Sequence, residues 1–322
     1  MTSTMEENQN FDSDLWRKWS REELDYQYSP SRWSKQGTPE QVINHHVKWT
    51  AEESKKVRDN IECELNISYG LTNGQKMDIF GANTLPGEAP IFVFIHGGYW
   101  QAMSKDDHSY VAHPLTKAGA VTILLEYTLA PKANIETIVA EVQQGMKFIL
   151  NMAKRRQSRG VYLCGHSAGG QLAAMLLSVD WMSECMVSNS VIKGAILISG
   201  VFDLRPLVPS PINDPLKMTE TSSWENSPMK VMGDIINRSK NRKIILAVAE
   251  DDPKEFHRQT HQAFQVLMAT DITTDCVISP GVDHFGIVEK LLYEDFHLTQ
   301  MAVEMMNLNI AEIDKQMQKT AV

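Results

Sequence analysis

From residue 61 onward the chain falls into short, densely apolar runs separated by polar, glycine- or proline-bearing turns. The continuous apolar run 91–95 predicts a strand buried on both faces, and strands are predicted also over 61–68, 77–80, 121–127, 161–164, 191–199, 243–249 and 274–279. Between them lie stretches with helical spacing. Ile138, Val142, Met146 and Ile149 recur every three or four residues within 135–153, and further helices are predicted after residue 170 and over 253–269. This strand-helix alternation predicts an α/β fold with a mostly parallel sheet flanked by helices on both faces.

Two regions break the rhythm. Residues 1–60 are polar, and are predicted to form an irregular, partly helical extension packed on the main domain, which spans 61–322. Ser20 and Thr38 read as helix caps, with Glu23 and Gln41 three residues on as a capping box requires, and Pro39 suits the first helical position. Residues 201–241 hold no strand pattern and are rich in Pro, Ser and Asp. Phe202, Leu204, Leu207, Met218 and Trp224 give that stretch apolar anchors, so an ordered cap inserted over the carboxyl ends of the strands is expected.

At 322 residues the chain can bury a large core without disulfides or metal staples. Cys63, Cys164, Cys185 and Cys276 are scattered, with no metal-ligand spacing, and read as reduced structural thiols, not metal ligands. The formal net charge of −9 argues against a nucleic-acid partner. Met1 to Gln9 lack a basic-then-apolar targeting pattern, and no apolar run is long enough to span a bilayer, so the expected location is cytoplasmic, with the nucleus as an alternative, and away from membranes.

The candidate chemistry sits at the ends of the apolar runs. Gly165-His166-Ser167-Ala168-Gly169 follows a strand and opens a helix, the pattern of a nucleophile elbow, in which a tight turn thrusts a serine hydroxyl out at the edge of the sheet. Upstream, the 91–95 strand runs into His96-Gly97-Gly98-Tyr99-Trp100, where hydrolases of this kind carry the loop that supplies an oxyanion hole. A serine needs a base, and the base needs an acid. The 243–249 strand ends in Glu250-Asp251-Asp252, and the last strand runs on to Asp283-His284, so carboxylates and a histidine follow the serine in the order that the α/β-hydrolase fold uses. His166, next to the serine, is given a packing role, and His96 is read as a loop-fixing residue. His45, His46, His108, His113, His257, His261 and His297 are expected at the surface or in partly buried polar contacts.

The stretches 26–33, 96–101, 164–169, 199–204, 252–259 and 282–289, taken together and in this order, resemble the kynurenine formamidase (arylformamidase) family over most of the chain. That resemblance implies an α/β-hydrolase fold and cofactor-free hydrolysis of N-formyl-L-kynurenine to L-kynurenine and formate through an acyl-enzyme. It makes Ser167 the nucleophile, His284 the base and Asp252 the acid, because the family's acid stands four residues before the phenylalanine matching Phe256. Gly97, Gly98 and Ala168 would form the oxyanion hole, with Tyr99 and Trp100 walling a small acyl slot and Phe202 and Trp224 meeting the substrate from the cap. Small molecules are the implied partners, and a homodimer is compatible with the sequence. The alternatives are a carboxylesterase of the hormone-sensitive-lipase type, which usually carries a third glycine where this chain has Tyr99, and an inactive hydrolase fold serving as a binding module.

Overall fold

The computed structural model describes residues 14–309. Within them run β1 (Cys63–Ser68), β2 (Lys76–Phe80), β3 (Ile91–Ile95), β4 (Val121–Leu125), β5 (Val161–His166), β6 (Ile192–Ile198), β7 (Lys243–Ala249) and β8 (Thr273–Ser279). They form one sheet in the order β1-β2-β4-β3-β5-β6-β7-β8. The β1–β2 and β2–β4 pairs are antiparallel and all others parallel, so the sheet is mostly parallel as the alternation predicts.

The pleat explains the apolar runs. In β3, Ile91, Val93 and Ile95 enter one core while Phe92 and Phe94 enter the core on the opposite face, so no position in the strand is left for a polar residue. Helices cover both faces: α1 (Arg21–Gln27), α2 (Pro39–Asn60), α3 (Ala112–Lys117), α4 (Ile135–Arg156), α5 (Ala168–Leu177), α6 (Trp181–Cys185), α7 (Asn213–Leu216), α8 (Glu220–Glu225), α9 (Met232–Arg238), α10 (Lys254–Met268), α11 (Gly286–Glu289) and α12 (His297–Met305). On α4, Ile138, Val142, Met146 and Ile149 are all buried. Each such side chain contributes about 1.5–3 kcal/mol relative to exposure.

Both N-terminal caps are in place. Thr38 and Gln41 close a reciprocal capping box at α2, whereas the Glu23 carboxylate turns instead to the Gln27 amide at 2.9 Å, leaving the Ser20 cap of α1 one-sided. The helix that Thr38 starts is much longer than its sequence suggests, running unbroken to Asn60. Its buried positions are Val42, His46, Thr50, Ser54 and Val57. The helical spacing is there, but three of its members are polar, so a search for apolar periodicity does not see it.

Residues 201–241 leave the carboxyl end of β6 and return to the start of β7 through α7, α8 and α9, with no strand. Phe202, Leu204, Leu207, Leu216 and Met218 anchor the segment in the main core.

Parallel register sets the position of the site. Ile95 pairs with Gly165, His166 with Ile198, Ile198 with Ala247, and Ala249 with Ser279. The residues that follow β3, β5, β6, β7 and β8 therefore emerge along one edge, where ligands bind in open parallel sheets.

Candidate active site

Ser167 occupies the turn between β5 and α5 with φ 57° and ψ −118°, a conformation that a side-chain-bearing residue adopts only when its surroundings impose it. The flanking glycines make the turn feasible. A Cβ at Gly165 would stand 2.0 Å from the Gly169 carbonyl oxygen, and one at Gly169 would stand 2.0 Å from the Ile95 carbonyl oxygen. Ser167 N–H is fixed to the Ile198 carbonyl at 2.8 Å. Ala168 begins α5, so its N–H is one of the donors left without an intrahelical acceptor at a helix N-terminus.

The loop after β3 comes up against this turn. A Cβ at Gly97 would stand 3.0 Å from the His166 carbonyl oxygen and 3.1 Å from the Ser167 Cβ, so only glycine lets the loop lie this close. Gly98, Tyr99 and Trp100 then take φ values of 103°, 48° and 60°, and the Gly98 carbonyl accepts from Gln101 N–H at 2.9 Å and Ala102 N–H at 3.0 Å, closing the turn. His96 fixes the base of the loop. Its two ring nitrogens face the Gly97 carbonyl and the Glu126 carboxylate, each at 2.8 Å, and its ring stacks on Tyr127. Burial opposes a charge on this imidazole, but the Glu126 carboxylate more than offsets it and raises the pKa above the usual value.

The acid and base meet at the ends of β7 and β8. His284 Nδ1 lies 2.6 Å from Asp252 Oδ1. Asp252 Oδ2 accepts from Ser199 Oγ at 2.6 Å and from Ala249 N–H at 2.8 Å, so the buried carboxylate is satisfied on both oxygens. Asp251 turns away from His284 to the exposed Lys35, with which it pairs at 2.6 Å. With Nδ1–H given to Asp252, His284 keeps Nε2 as an acceptor. No hydrogen bond joins Ser167 Oγ to His284 Nε2 among the described residues, and in unliganded sites this contact is often long.

His166 does more than pack. Its Nε2 donates to the His284 carbonyl at 2.9 Å and the two rings lie 4.6 Å apart, joining the residue before the serine to the main chain of the histidine loop. Burial and the neighbouring His284 hold its pKa well below the usual value, so it is neutral. His108, expected near the surface, is buried and stacked against Phe94 and His96. His46 is also buried, against Glu289 at 2.7 Å. A lone histidine in a non-periodic stretch carries no burial signal, so sequence reasoning misses such packing.

The substrate-contact candidates separate in space. Tyr99 is half-buried beside Asp252, and its hydroxyl donates to the Tyr28 carbonyl at 2.8 Å; burial first, and Asp252 second, raise its pKa well above the usual phenol value. Trp100 is fully buried and its indole N–H is committed to Gln171 at 3.0 Å, which in turn donates to the Asn226 carbonyl at 2.8 Å. Phe202 is buried too, and lines a small internal void with Leu197, Met232 and Leu246 rather than the strand-end edge. These two aromatic rings are packed in the core that supports the loops, as buried as Ser167, Asp252 and His284 themselves. Trp224 is half-buried, with the Arg205 guanidinium 4.2 Å above its ring and Arg205 bridged to Asp203 at 2.7 Å.

All four cysteines are free. Among the described residues no helix is long and apolar enough to cross a membrane, and no three His, Cys, Asp or Glu side chains are grouped to hold a metal ion.

Residues 92–286 match a family model described as the alpha/beta hydrolase fold. A kynurenine formamidase of Salmo salar is 37% identical over 90% of this chain and 98% of its own length. That of Danio rerio is 35% identical over 90% of this chain and 98% of its own. Among solved structures, a thioesterase candidate from Silicibacter sp. TM1040 superposes with a TM-score of 0.71 at 27% identity, covering 88% of this chain and 99% of that one. The elbow, the glycine loop against it and the Asp252–His284 pair thus lie in a chain matched along nearly its whole length, and the chain belongs to the kynurenine formamidase family of the α/β-hydrolase fold.

Proposed function

We propose that this protein hydrolyses N-formyl-L-kynurenine to L-kynurenine and formate, with Ser167 as nucleophile, His284 as base and Asp252 as acid. The observation that carries the reading is the 2.6 Å Asp252–His284 pair at the strand ends that also hold the Ser167 elbow, in a chain of this family. His284 Nε2 takes the Ser167 proton as Oγ attacks the formyl carbon. The oxyanion falls toward the N–H groups of Gly98 and Ala168, with Gly97 giving the loop its close approach; loss of one such donor typically costs about 2.7–4 kcal/mol of transition-state stabilisation. His284 then returns the proton to the anilide nitrogen as the C–N bond breaks, releasing L-kynurenine and leaving a formyl ester on Ser167. Water, deprotonated by His284, attacks that ester and frees formate. The acyl side of the substrate bears only hydrogen, which suits a site where Tyr99 replaces a smaller residue. The aryl amine side is left to the 201–241 insertion, with Trp224 as its contact.

The reading carries with it a cytoplasmic or nuclear location and leaves room for a homodimer, which cell fractionation and sedimentation address. The central test is turnover of N-formylkynurenine by the purified protein beside a short-chain aryl ester. Preference for the formamide, abolished in Ser167→Ala together with labelling of Ser167 by a fluorophosphonate, is expected. Turnover of the ester alone would replace this reading with that of a carboxylesterase.

A further inference from the structure

The N-terminal stretch Gln27–Lys35, which precedes the sheet by some thirty residues, touches three of the loops that make up the site. On the oxyanion loop, the Tyr28 carbonyl accepts the Tyr99 hydroxyl at 2.8 Å. On the acid side, Lys35 pairs with Asp251, the residue before Asp252, at 2.6 Å. Helix α10, which begins two residues beyond Asp252, has Pro253 in its cap position and no side-chain cap of its own; Gln27 Oε1 supplies one from the strap, accepting Glu255 N–H at 3.2 Å. Tyr28 OH donates to Glu255 Oε1 at 3.1 Å and accepts from Gln259 at 2.8 Å. On the base side, Ser34 Oγ donates to Asp283 Oδ2, while Asp283 Oδ1 accepts from Phe285 and Gly286 N–H at 3.1 and 2.7 Å, holding the turn on which His284 sits.

The strand order gives these contacts their meaning. The oxyanion loop follows β3 and the histidine loop follows β8, with β5, β6 and β7 between them. Four interstrand steps amount to about 19 Å. A segment bonded to the loops after both β3 and β8 spans the edge at which Ser167 emerges. Sheet pairing fixes the strands but not the loops beyond them. Among the described residues the acid and base loops are joined by Asp251 N–H to the Val282 carbonyl at 3.1 Å and by Gly281 N–H to the Glu250 carboxylate at 2.6 Å, while no backbone hydrogen bond joins either to the oxyanion loop.

We propose that Gln27–Lys35 is a strap that sets the oxyanion, acid and base loops in register, with Tyr28 and Ser34 as positioning residues that act through Tyr99, Glu255 and Asp283 rather than on the substrate. The proposal rests on the assignment of Ser167, Asp252 and His284, and does not depend on which formamide or ester is cleaved. Consecutive residues Ser34 and Lys35 hold the neighbours of the base and of the acid, so a shift of this end of the strap alters the distance between catalytic groups. Removal of one hydrogen bond to a charged partner corresponds to roughly a tenfold or greater change in an equilibrium.

Ser34→Ala and Tyr99→Phe each remove one tie and leave the rest of the side chain in place. Both are measured in the full-length protein by kcat, by KM, by melting temperature and by the rate at which a fluorophosphonate captures Ser167. The expected result is about a tenfold fall in kcat and in capture rate for Ser34→Ala, whose partner is a carboxylate, and a fall of about two- to tenfold for Tyr99→Phe, whose partner is a neutral carbonyl, with KM and melting temperature nearly unchanged and with Ser34→Thr restoring Ser34→Ala. Unchanged capture rates in both variants overturn the proposal, as does a loss that follows melting temperature and is not restored by threonine. Capture reports on the triad alone, so if wild type captures phosphonate but ignores N-formylkynurenine, the substrate reading falls and the strap test still stands.

Discussion

The Ser199 hydroxyl lies 2.6 Å from Asp252 Oδ2, the carboxylate oxygen that His284 does not use. Ser199 is fully buried just past the end of β6 with φ 47°, a backbone conformation unfavourable for a residue with a side chain, and its N–H is held by the Ala247 carbonyl at 2.7 Å. The hydroxyl is one of the two donors that hold this carboxylate in line with the imidazole. Ser199→Ala is therefore expected to lower kcat by about tenfold, in line with the 1.5–3 kcal/mol of a hydrogen bond to a charged group. Steady-state kinetics check this, and an unchanged kcat would show that Ala249 N–H alone suffices.

The paired aspartates give a sharper contrast. Asp252 is bonded to His284 and Asp251 to Lys35, at 2.6 Å in both cases. Asp252→Asn presents an amide to Nδ1 and favours the wrong imidazole tautomer, so kcat should fall by about four orders of magnitude, as in other triads. Asp251→Asn weakens one tie of the strap to the acid loop, that to the exposed Lys35, an interaction worth about 0–1 kcal/mol, and leaves the Gln27 and Tyr28 contacts to Glu255 in place, so its effect should be mild. Reversed effects would move the acid to Asp251.

His166 offers a test of main-chain positioning. Its Nε2–H is the donor to the His284 carbonyl, and His166→Ala would leave that buried oxygen unpaired. The expected fall in kcat is about tenfold with KM unchanged, and His166→Gln, which retains a donor at similar reach, should recover part of it. Equal activity in the alanine variant would return His166 to a packing role.

The buried histidines also set a pH window for stability. Burial, reinforced by His96 at His108 and by His284 at His166, lowers the pKa of both well below the usual value, so the folded state resists protonating them. The unfolded chain takes up those protons near the ordinary value of about 6.5. Stability from these two groups is present above that pH and is lost as pH falls, by up to about 1.4 kcal/mol per pH unit for each proton. His96 has the opposite sign. Its raised pKa contributes stability that is complete below about 6.5 and is lost as pH rises through the folded value. Urea unfolding from pH 5 to 8 should show a maximum between the two losses, and His166→Gln should shallow the acid limb. An acid limb of unchanged slope in that variant would show that His166 does not resist protonation.

How far the chain could be read from sequence depends on the range of the forces involved. The predicted 243–249 strand coincides with β7, and the 135–153 helix with most of α4, because burial on both faces or on one stripe writes a local period. That a carboxylate from 250–252 would meet His284 could be expected because both follow such runs, while the choice of Asp252 among the three comes from the family resemblance through its spacing to Phe256. Ser199 could not: a serine at a strand end has no signature until the Asp252 carboxylate is beside it. Neither could the strap, since Tyr28 meets Glu255 and Ser34 meets Asp283 across more than two hundred residues of chain. The packing of Trp100 and Phe202 is equally hidden, since an aromatic residue next to a motif carries no sign of how deeply its ring is buried.

Trp224 remains as the aromatic of the 201–241 insertion with a partly accessible face. Arg205 covers its ring at 4.2 Å and is itself held by both Asp203 oxygens, so the indole is fixed without being sealed into the core. A substrate carrying an aryl ring and an amino-acid end needs apolar walls and placed polar groups beyond the acyl slot. Trp224→Ala should therefore raise KM for N-formylkynurenine, by about tenfold if it removes 1–1.5 kcal/mol of aromatic contact, while sparing turnover of a small aryl ester that cannot reach it. Parallel kinetics on the two substrates make the comparison. Equal losses on both would locate the defect in folding or in the triad and remove Trp224 from the substrate path, whereas a selective rise in KM would assign the aryl amine side of the substrate to the insertion.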